Sequence, residues 1–326
     1  MKIIKGAILL PLAMLSALAA APANAADSAY PDKMVRIVVP FTAGGGTSNT
    51  ARFLADKLAA KWNQPVIVDN RPGGNTVIGS NIVAKAEPDG YTLLFANTSH
   101  TINPAVMPKL PYDSVRDFKP ITTVLVNRFV LLAHPSMQVD NLDQFISKLR
   151  AKPDDYNLPT VGAAGIGRLA NESLMNAIGV KLQNIPYKGT SDLATNLIGG
   201  QLKFALEIPG FYLQHIKSGK LKVLAVSGQA RLSSLPEVPT FAEKKVNFDA
   251  QSWYGLLAPG GTPDAVVDKI AADVREIVAS SEFKTFLDSI QSEAFVCTPA
   301  EFADFIQREM KKNREIAEQA GITAES

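Results

Sequence analysis

The chain has 326 residues, of which 33 are Lys or Arg and 31 are Asp or Glu. Because Lys2 and Lys5 lie in the N-terminal segment, the chain after residue 25 carries 33 − 2 = 31 basic and 31 acidic groups, and this balance gives no support for a nucleic-acid partner or an anionic membrane surface. The single cysteine, Cys297, excludes an internal disulfide and any zinc or iron–sulfur site built from several cysteines.

The first 25 residues have the pattern of a secretory signal peptide. Lys2 and Lys5 precede an apolar stretch rich in Leu and Ala, and Ala23-Asn24-Ala25 fits an A-x-A cleavage site. The alternative is an uncleaved membrane anchor, but the apolar run is short for a membrane span. We therefore predict a cleaved signal over residues 1–25 and export to the periplasm.

Apolar runs of strand length alternate with helical periodicity along the rest of the chain, which indicates an α/β protein with largely parallel sheets. About 300 residues usually divide into two domains. The predicted strands are Met34–Phe41, Val66–Asp69, Tyr91–Ala96, Phe129–Ala133, Thr160–Ala163, Gln183–Pro186, Lys203–Glu207, Lys222–Ser227 and Ser252–Ala258. The predicted helices are Ser48–Trp62, Ile78–Ala86, Leu142–Ala151, Leu169–Ile178, Leu193–Ile198, Phe211–Lys217, Ala265–Ser280, Glu282–Ile290 and Glu301–Ala320.

The loop PFTAGGGTSNTAR follows the first predicted strand and leads into a helix. Its glycines do not complete G-x-G-x-x-G, and it has no lysine for a P-loop, so a nucleotide is disfavoured. Free backbone N–H groups with the hydroxyls of Thr42, Thr47 and Ser48 suit a carboxylate instead. The alternative is a tight turn in which Ser48 caps the helix; both can hold at once, and we predict a cradle with a Ser48 cap.

The stretch TVGAAGIGRLANESLMNAIG repeats the same strand, Ala-Gly-rich turn and helix more than a hundred residues later. The two units are therefore expected in different domains. Ligands of open α/β sheets bind outside the carboxyl ends of strands, where helix N-termini point at them. Two facing turns of this kind would form a cleft for a small anion.

Catalytic and metal-binding patterns are poorly supported. No G-x-S-x-G is present, and no histidine stands in H-E-x-x-H or clustered spacing. His134 and His215 are interpreted as local hydrogen-bonding residues, whereas His100 either lines the cleft or packs within its loop. We predict no enzyme activity, no cofactor and no metal.

The order of motifs resembles the extracytoplasmic solute receptors of tripartite tricarboxylate transporters, the Bug or TctC family. The resemblance runs through nearly the whole chain after the signal. It rests on YPDKMVRIVVPFTAGGGTSNTAR, PVIVDNRPGGNTVIGSNIVAKAEPDGYTLLFAN, INPAVMPKLPYDSVRDFKPIT, VLLAHPS, VGAAGIG, NIPYKGTSDLATNLIGGQLKFALE, GKLKVLAVSGQARLSSLPEVPTFAE and WYGLLAPGGTP.

The resemblance implies a type II periplasmic binding protein fold, in which two α/β domains joined by crossing strands close on a ligand cleft. It places domain 1 at residues 27–127 plus 226–326 and domain 2 at residues 128–225. Receptors of this family commonly hold one carboxylate between two loops, one from each domain, which correspond here to Phe41–Thr47 and Ala163–Arg168. The ligand-binding residues implied are Phe41, Thr42, Ala43, Gly44, Gly45, Thr47, Asn97, Ser99, Ala163, Ala164, Gly165, Gly167, Arg168, Tyr187 and Glu207.

Two positions depart from the family pattern. Ser48 stands where the family often has Asp, and the second loop is shortened to AAGIGRLANE with Arg168 at the helix start. A cation at a helix N-terminus is unfavourable. Arg168 is therefore expected either to bind a ligand carboxylate with its planar guanidinium or to face solvent.

The predicted function is a periplasmic receptor that captures a small organic carboxylate, such as a dicarboxylate or an aromatic acid. It would act as a monomer, without nucleic acid, and deliver the ligand to the membrane subunits of the transporter. The alternatives are a secreted cleft enzyme, either a hydrolase or an isomerase, and a receptor for a sensor kinase.

Overall fold

The structure, a computed structural model, describes residues 30–161 and 164–323. The predicted signal segment lies outside these residues. None of the helices within the described ranges is long and apolar enough to cross a bilayer.

The described chain alternates strands and helices, with short 3-10 turns at Pro135–Met137, Pro153–Asp155 and Pro209–Tyr212. The elements in chain order are β1 (Val35–Val39), α1 (Gly46–Trp62), β2 (Val66–Asn70), α2 (Val77–Ala84), β3 (Thr92–Asn97), α3 (Ser99–Val106), β4 (Phe118–Arg128), β5 (Val130–Ala133), α4 (Leu142–Ala151), β6 (Asn157–Val161), α5 (Ile166–Ile178), β7 (Gln183–Tyr187), α6 (Thr190–Ile198), β8 (Phe204–Glu207), α7 (Leu213–Lys217), β9 (Lys222–Val226), β10 (Gln251–Pro259), α8 (Asp264–Val278), α9 (Ser281–Ile290), β11 (Glu293–Ala294) and α10 (Pro299–Ala320).

The first sheet has the strand order β11-β4-β10-β3-β1-β2. Alternate side chains of β1 enter two cores: Ile37 and Val39 pack with α1 and α8 on one face, and Val38 packs with Trp253 and Phe302 on the other. Helices therefore cover both faces of this sheet, which explains the nearly continuous apolar strands seen in the sequence.

The prediction of largely parallel sheets is wrong in part. β1 pairs in parallel with β2 and β3, but β10 runs antiparallel to both β3 and β4, and β11 is antiparallel to β4. An apolar run carries no information about strand direction. β4 itself was not predicted, because Pro120, Thr122 and Thr123 interrupt its apolar pattern while lying in a strand buried on both faces.

The second group of strands comprises the antiparallel order β8-β5-β9 and the parallel pair β6-β7, with β6 beside β8. β5 again alternates between two cores. Leu131 packs towards α4 and α5, whereas Val130 and Leu132 pack towards α6 and Tyr212. This unit thus has its own helices on both faces and its own apolar interior.

The chain passes between the two sheets at two adjacent segments. β4 runs into β5 with only Phe129 between them, and Ser227 follows β9 on the way back to β10. The Phe129 N–H donates to Ser227 Oγ at 2.8 Å, and the Ser227 N–H donates to the Phe129 carbonyl at 2.8 Å. The two passing segments are therefore tied to each other.

His100 lies in α3 and is 3% exposed, which makes it a packing residue beneath the loop and not a free side chain of the cleft. Its Nε2 lies 2.9 Å from the Ser114 carbonyl, so this nitrogen carries the proton and donates. Its ring meets the ring of Phe118 edge to face, with centroids 4.8 Å apart. Burial lowers the pKa of His100 to about 4, against the smaller opposing effect of the Ser114 hydrogen bond.

This burial predicts a specific pH dependence of stability. The unfolded chain protonates His100 near pH ~6.5, whereas the folded chain does so only near the lowered pKa, so the free energy of unfolding should fall as the pH drops through that window. Between pH ~7 and pH ~5 the loss from this group is about 2 kcal/mol. Urea unfolding of the wild type and of His100→Gln, which can still donate to Ser114, measures it.

The difference between the two proteins isolates His100, because acidic groups that titrate in the same range are present in both. The drop in the free energy of unfolding on acidification should be smaller in His100→Gln by roughly that amount. An equal drop in both proteins would contradict burial of the neutral imidazole.

Candidate functional site

Several predicted site residues lie at the carboxyl ends of strands that face the gap between the two sheets. Phe41 follows β1, Asn97 ends β3, Tyr187 ends β7 and Glu207 ends β8. Ala164, in the second loop, and Ile166 pack in one apolar cluster with Ile102 and Val106 of α3. The structure therefore brings the second loop and the helix that follows β3 into contact across the gap.

The first loop, Phe41–Thr47, is exposed to solvent over most of its length, and its first residue is held by a side chain of β2. Thr42, Ala43, Gly44 and Gly45 are exposed, and Gly44 has φ +87°, a conformation that favours glycine. The Asn70 side chain donates from Nδ2 to the Phe41 carbonyl at 2.9 Å. The loop is thereby fixed without any side chain covering its N–H groups.

The predicted Ser48 cap is wrong. α1 begins at Gly46, so its N-cap is Gly45, and no side chain bonds to the first turn. Ser48 is fully buried inside the first turn, where its Oγ accepts from Asn70 Nδ2 at 3.0 Å. The sequence suggested a cap because Ser is a favoured N-cap residue; the glycines instead start the helix earlier and leave its first N–H groups uncapped.

Tyr254 of β10 lies behind this loop and was missed by the sequence analysis, although its motif WYGLLAPGGTP was noted. A Cβ on Gly46 would lie 3.7 Å from the Tyr254 hydroxyl oxygen. Burial is the main cause that raises the pKa of the phenol, and the nearby side chains of Thr47, which is 7% exposed, and Asn127 oppose this shift. Thr47 therefore points inward to support the loop, while the exposed part of the cradle is Thr42 to Gly46.

Asn97 and Ser99 form the start of α3. The Ser99 N–H donates to Asn97 Oδ1 at 2.9 Å, so one donor of this helix start is already used. Thr98 between them is fully buried, and its Oγ1 accepts from the N–H of Trp253 at 3.1 Å. This segment is anchored to β10, which leaves the partly exposed side chains of Asn97 and Ser99 at the gap.

The second loop has the same design as the first. Ala163 lies outside the described residues, but Ala164 is described and Gly165 is the N-cap of α5 without a side-chain bond to the first turn. Gly167 has a packing reason to be glycine, because a Cβ there would lie 2.9 Å from Thr160 Oγ1. The helix can therefore start close above β6 with its N–H groups uncovered.

Arg168 is paired within its own helix. Its guanidinium lies 2.8 Å from Glu172 Oε1, and Asn184 Nδ2 donates to the same oxygen at 2.7 Å. The negative charge that was expected from a ligand next to the Arg168 guanidinium is thus supplied by Glu172, which lies one helical turn further along α5. Arg168 Nε is buried without a partner among the described residues, so part of the guanidinium still lacks an acceptor.

Tyr187 and Glu207 differ in what surrounds them. Tyr187 packs partly buried against the apolar cluster that includes Tyr212, and α6 starts three residues later with the uncapped N-cap Gly189. Glu207 is the last residue of β8, and burial raises the pKa of its carboxyl to about 7. Tyr187 therefore contributes shape, and Glu207 contributes an acid whose charge depends on what contacts it.

Three helices that start at the gap lack a side-chain cap, as does α8, whose N-cap is Pro263, whereas three other helices are capped. α1, α5 and α6 have glycine N-caps with no side-chain bond, whereas α4, α9 and α10 are capped by Asn141, Ser280 and Thr298. Uncapped N-termini present N–H donors and partial positive charge. The arrangement can hold an anion with backbone groups alone, and within the described ranges no cluster of three metal-ligating side chains occurs.

Comparison with known proteins places this geometry in a family. A family model described as "Tripartite tricarboxylate transporter family receptor" matches residues 50–322. Protein BugT of Bordetella pertussis is 31% identical over 305 residues, covering 93% of each chain.

Two solved structures of similar proteins contain small carboxylates. An R. palustris protein solved with adipate is 28% identical, with a TM-score of 0.76 over 90% of this chain and 99% of that one. MatC from Rhodopseudomonas palustris, solved with bound malate, is 27% identical, with a TM-score of 0.70 over 88% of this chain and 99% of that one.

These matches confirm the predicted two-domain periplasmic binding protein fold. The family model spans most of the chain, and a relative matched over 93% of both chains carries the Bug name. The chain therefore belongs to the tripartite tricarboxylate transporter family of receptors, the Bug or TctC family.

Proposed function

We propose that this protein is an exported receptor that captures a small organic carboxylate in the gap between its two domains. The observation that carries the proposal is the set of uncapped glycine helix starts, one in the first domain and two in the second, which all open at that gap. The adipate and malate in the similar structures are ligands of the same chemical class.

The first loop is the primary carboxylate seat in this proposal. A carboxylate oxygen accepts several N–H donors at once, and charge-assisted hydrogen bonds of this kind contribute roughly 1.5–3 kcal/mol each. Gly44 and Gly45 let the ligand approach the backbone, and Thr42 adds a hydroxyl at the exposed edge. The second loop at Ala164 and Gly165 closes on the same ligand from the other domain.

We place the domain boundaries beside the two chain crossings, with residues 27–127 and 226–326 in domain 1 and residues 128–225 in domain 2. Phe129 and Ser227, which are tied by two hydrogen bonds, lie next to these boundaries and support them. Cleavage of residues 1–25 would release the receptor, as a monomer, into the periplasm. There it would deliver its ligand to the membrane subunits of a tripartite tricarboxylate-type transporter and catalyse no reaction.

A thermal-shift panel of mono-, di- and tricarboxylates and aromatic acids tests the carboxylate seat. At a hundred times its dissociation constant, a binding acid should raise the free energy of unfolding by about 2.7 kcal/mol, and the matching amides should not. Failure of every acid, or equal stabilisation by the amides, would contradict the proposal.

The variants Gly44→Ala and Gly179→Ala locate the seat. Both glycines have positive φ and no heavy atom within 4 Å of an added Cβ, so the two substitutions impose a similar local strain. Only Gly44→Ala should weaken acid binding, because Gly179 ends α5 away from the loop. Equal affinities in both variants would move the seat away from the first loop.

Closure of the two domains should compact the protein. Leu169 of α5 is 1% exposed among Ile102, Val106 and Ala317 of the first domain, so opening would expose apolar surface and a bound acid would favour the closed state. Small-angle scattering should show a smaller radius of gyration with the best acid of the panel. Leu169→Ala should enlarge the radius of gyration without ligand, because it weakens the contact between the two domains. Identical radii for the wild type and Leu169→Ala, each with and without the acid, would contradict closure.

Arg168 should bind a second group of the ligand. The Nε–H of Arg168 has no acceptor among the described residues, so it can donate a hydrogen bond to an anion. Arg168→Ala should therefore weaken binding of the best acid by about 1.5–3 kcal/mol. Arg168→Lys should not restore affinity, since an ammonium lacks the planar fork. Calorimetric titration measures both variants.

The partner Glu172 supplies the control for Arg168. Glu172→Gln removes the carboxylate that competes for the guanidinium, so binding should stay equal or tighten. If wild type, Arg168→Ala and Arg168→Lys bind the acid equally, Arg168 serves only its own helix.

A further inference from the structure

Glu207 lies where the second domain meets the first. It ends β8 and pairs with Val130, the first residue after the crossing at Phe129. Three residues later Gly210 approaches the first domain so closely that a Cβ would lie 3.2 Å from the Ile290 carbonyl oxygen. β8 therefore delivers its last side chain to the floor of the gap.

The face on which Glu207 lies follows from the alternation along β8. Phe204 and Leu206 pack into the core beside α4 and α5, whereas Ala205 packs into the core that contains Tyr212. Glu207 falls on the side of Ala205. Burial is the main cause that raises the pKa of Tyr212, and the negative charge of the Glu207 carboxylate is the second. The two side chains are therefore neighbours.

The carboxyl of Glu207 has no cationic partner within the described part of the chain. No hydrogen bond or ion pair involves its side chain there, and four of the basic residues of the neighbouring elements are engaged elsewhere. These engagements are Arg128 with Glu293, Arg168 with Glu172, Lys203 with Ser136 and the Gly200 carbonyl, and Lys222 with Asp140.

Tyr212 adds a second unpartnered polar group beneath the first. It is fully buried, and its hydroxyl has no hydrogen-bond partner among the described residues. Tyr212 makes no hydrogen bond to Glu207, so the Glu207 carboxyl has no donor from this neighbour.

Glu207 is partly buried, and a partly buried carboxylate without a partner is stabilised by a cation placed beside it. An ionised Glu207 would repel a ligand that is only anionic, although the rest of the gap is built from donors that attract anions. The conflict is resolved if the ligand carries both charges. Its carboxylate then lies on the uncapped helix starts, and its positive group lies on Glu207.

We propose that Glu207 binds a cationic nitrogen of the ligand, so that the receptor selects amino- or ammonium-substituted carboxylates over simple ones. This inference rests on the proposed carboxylate receptor function and narrows its ligand class. Glu207 is the residue that determines the preference, while the first loop holds the carboxylate shared by both kinds of acid.

Calorimetric titration with matched pairs of acids tests the preference. The probes are succinate with aspartate, glutarate with glutamate, adipate with 2-aminoadipate, and propionate with β-alanine, each added to the wild type, Glu207→Gln and Glu237→Gln. Glu237 is an exposed glutamate and serves as the control. Glu207→Gln should fold, because it removes a partly buried charge that has no partner and keeps the shape of the side chain.

We expect at least one amino acid to bind the wild type tenfold or more tightly than its partner without the amine. Glu207→Gln should abolish that ratio without weakening the simple acid, and Glu237→Gln should keep it. Tighter binding of the simple acids by the wild type, or an unchanged ratio in Glu207→Gln, would overturn the inference and leave the carboxylate receptor intact. If no acid of either kind binds, the receptor function fails as well.

Discussion

The reciprocal hydrogen bonds between Phe129 and Ser227 determine how the two halves of the molecule can face each other. They hold side by side the segment that leaves the first sheet and the segment that returns to it. β8 and β9 both run antiparallel to β5, so they end on the side where β5 begins. The loops after β1 and β3 open on the same gap, which therefore receives helix starts from both domains.

In the proposed receptor, backbone groups would perform most of the anion recognition, and this explains what could be predicted from the sequence. Glycine-rich turns, strand-length apolar runs and helical periodicity gave the α/β class, and α4 was predicted with its observed bounds, Leu142–Ala151. The direction of β10 could not be predicted, because pairing partners far apart in sequence decide it. β4 was not predicted because a proline and threonines interrupt its apolar pattern, and the neighbours that bury Thr122 and Thr123 cannot be identified from the sequence.

Side-chain partners in the site were harder to predict than the loops. Ser48 was expected to cap α1, but Asn70 engages it from the next strand. Arg168 was expected either to bind a ligand carboxylate or to face solvent, but its guanidinium pairs with Glu172, one helical turn away in RLANE. Tyr254 supports the first loop from β10, more than two hundred residues away in the chain, and only the fold brings them together.

A seat made of backbone donors binds many carboxylates nearly equally, so discrimination has to come from the few side chains that lack partners. Leaving a buried donor or acceptor unpaired costs roughly 1–3 kcal/mol, and more for a charge, which makes such groups strong selectors against the wrong ligand. Among the described residues such groups include Arg168 Nε, which is buried without a partner, and the partly buried carboxyl of Glu207, which has the opposite charge. In the receptor that we propose, the opposite charges of those two groups, more than the glycine loops, would select which acid binds.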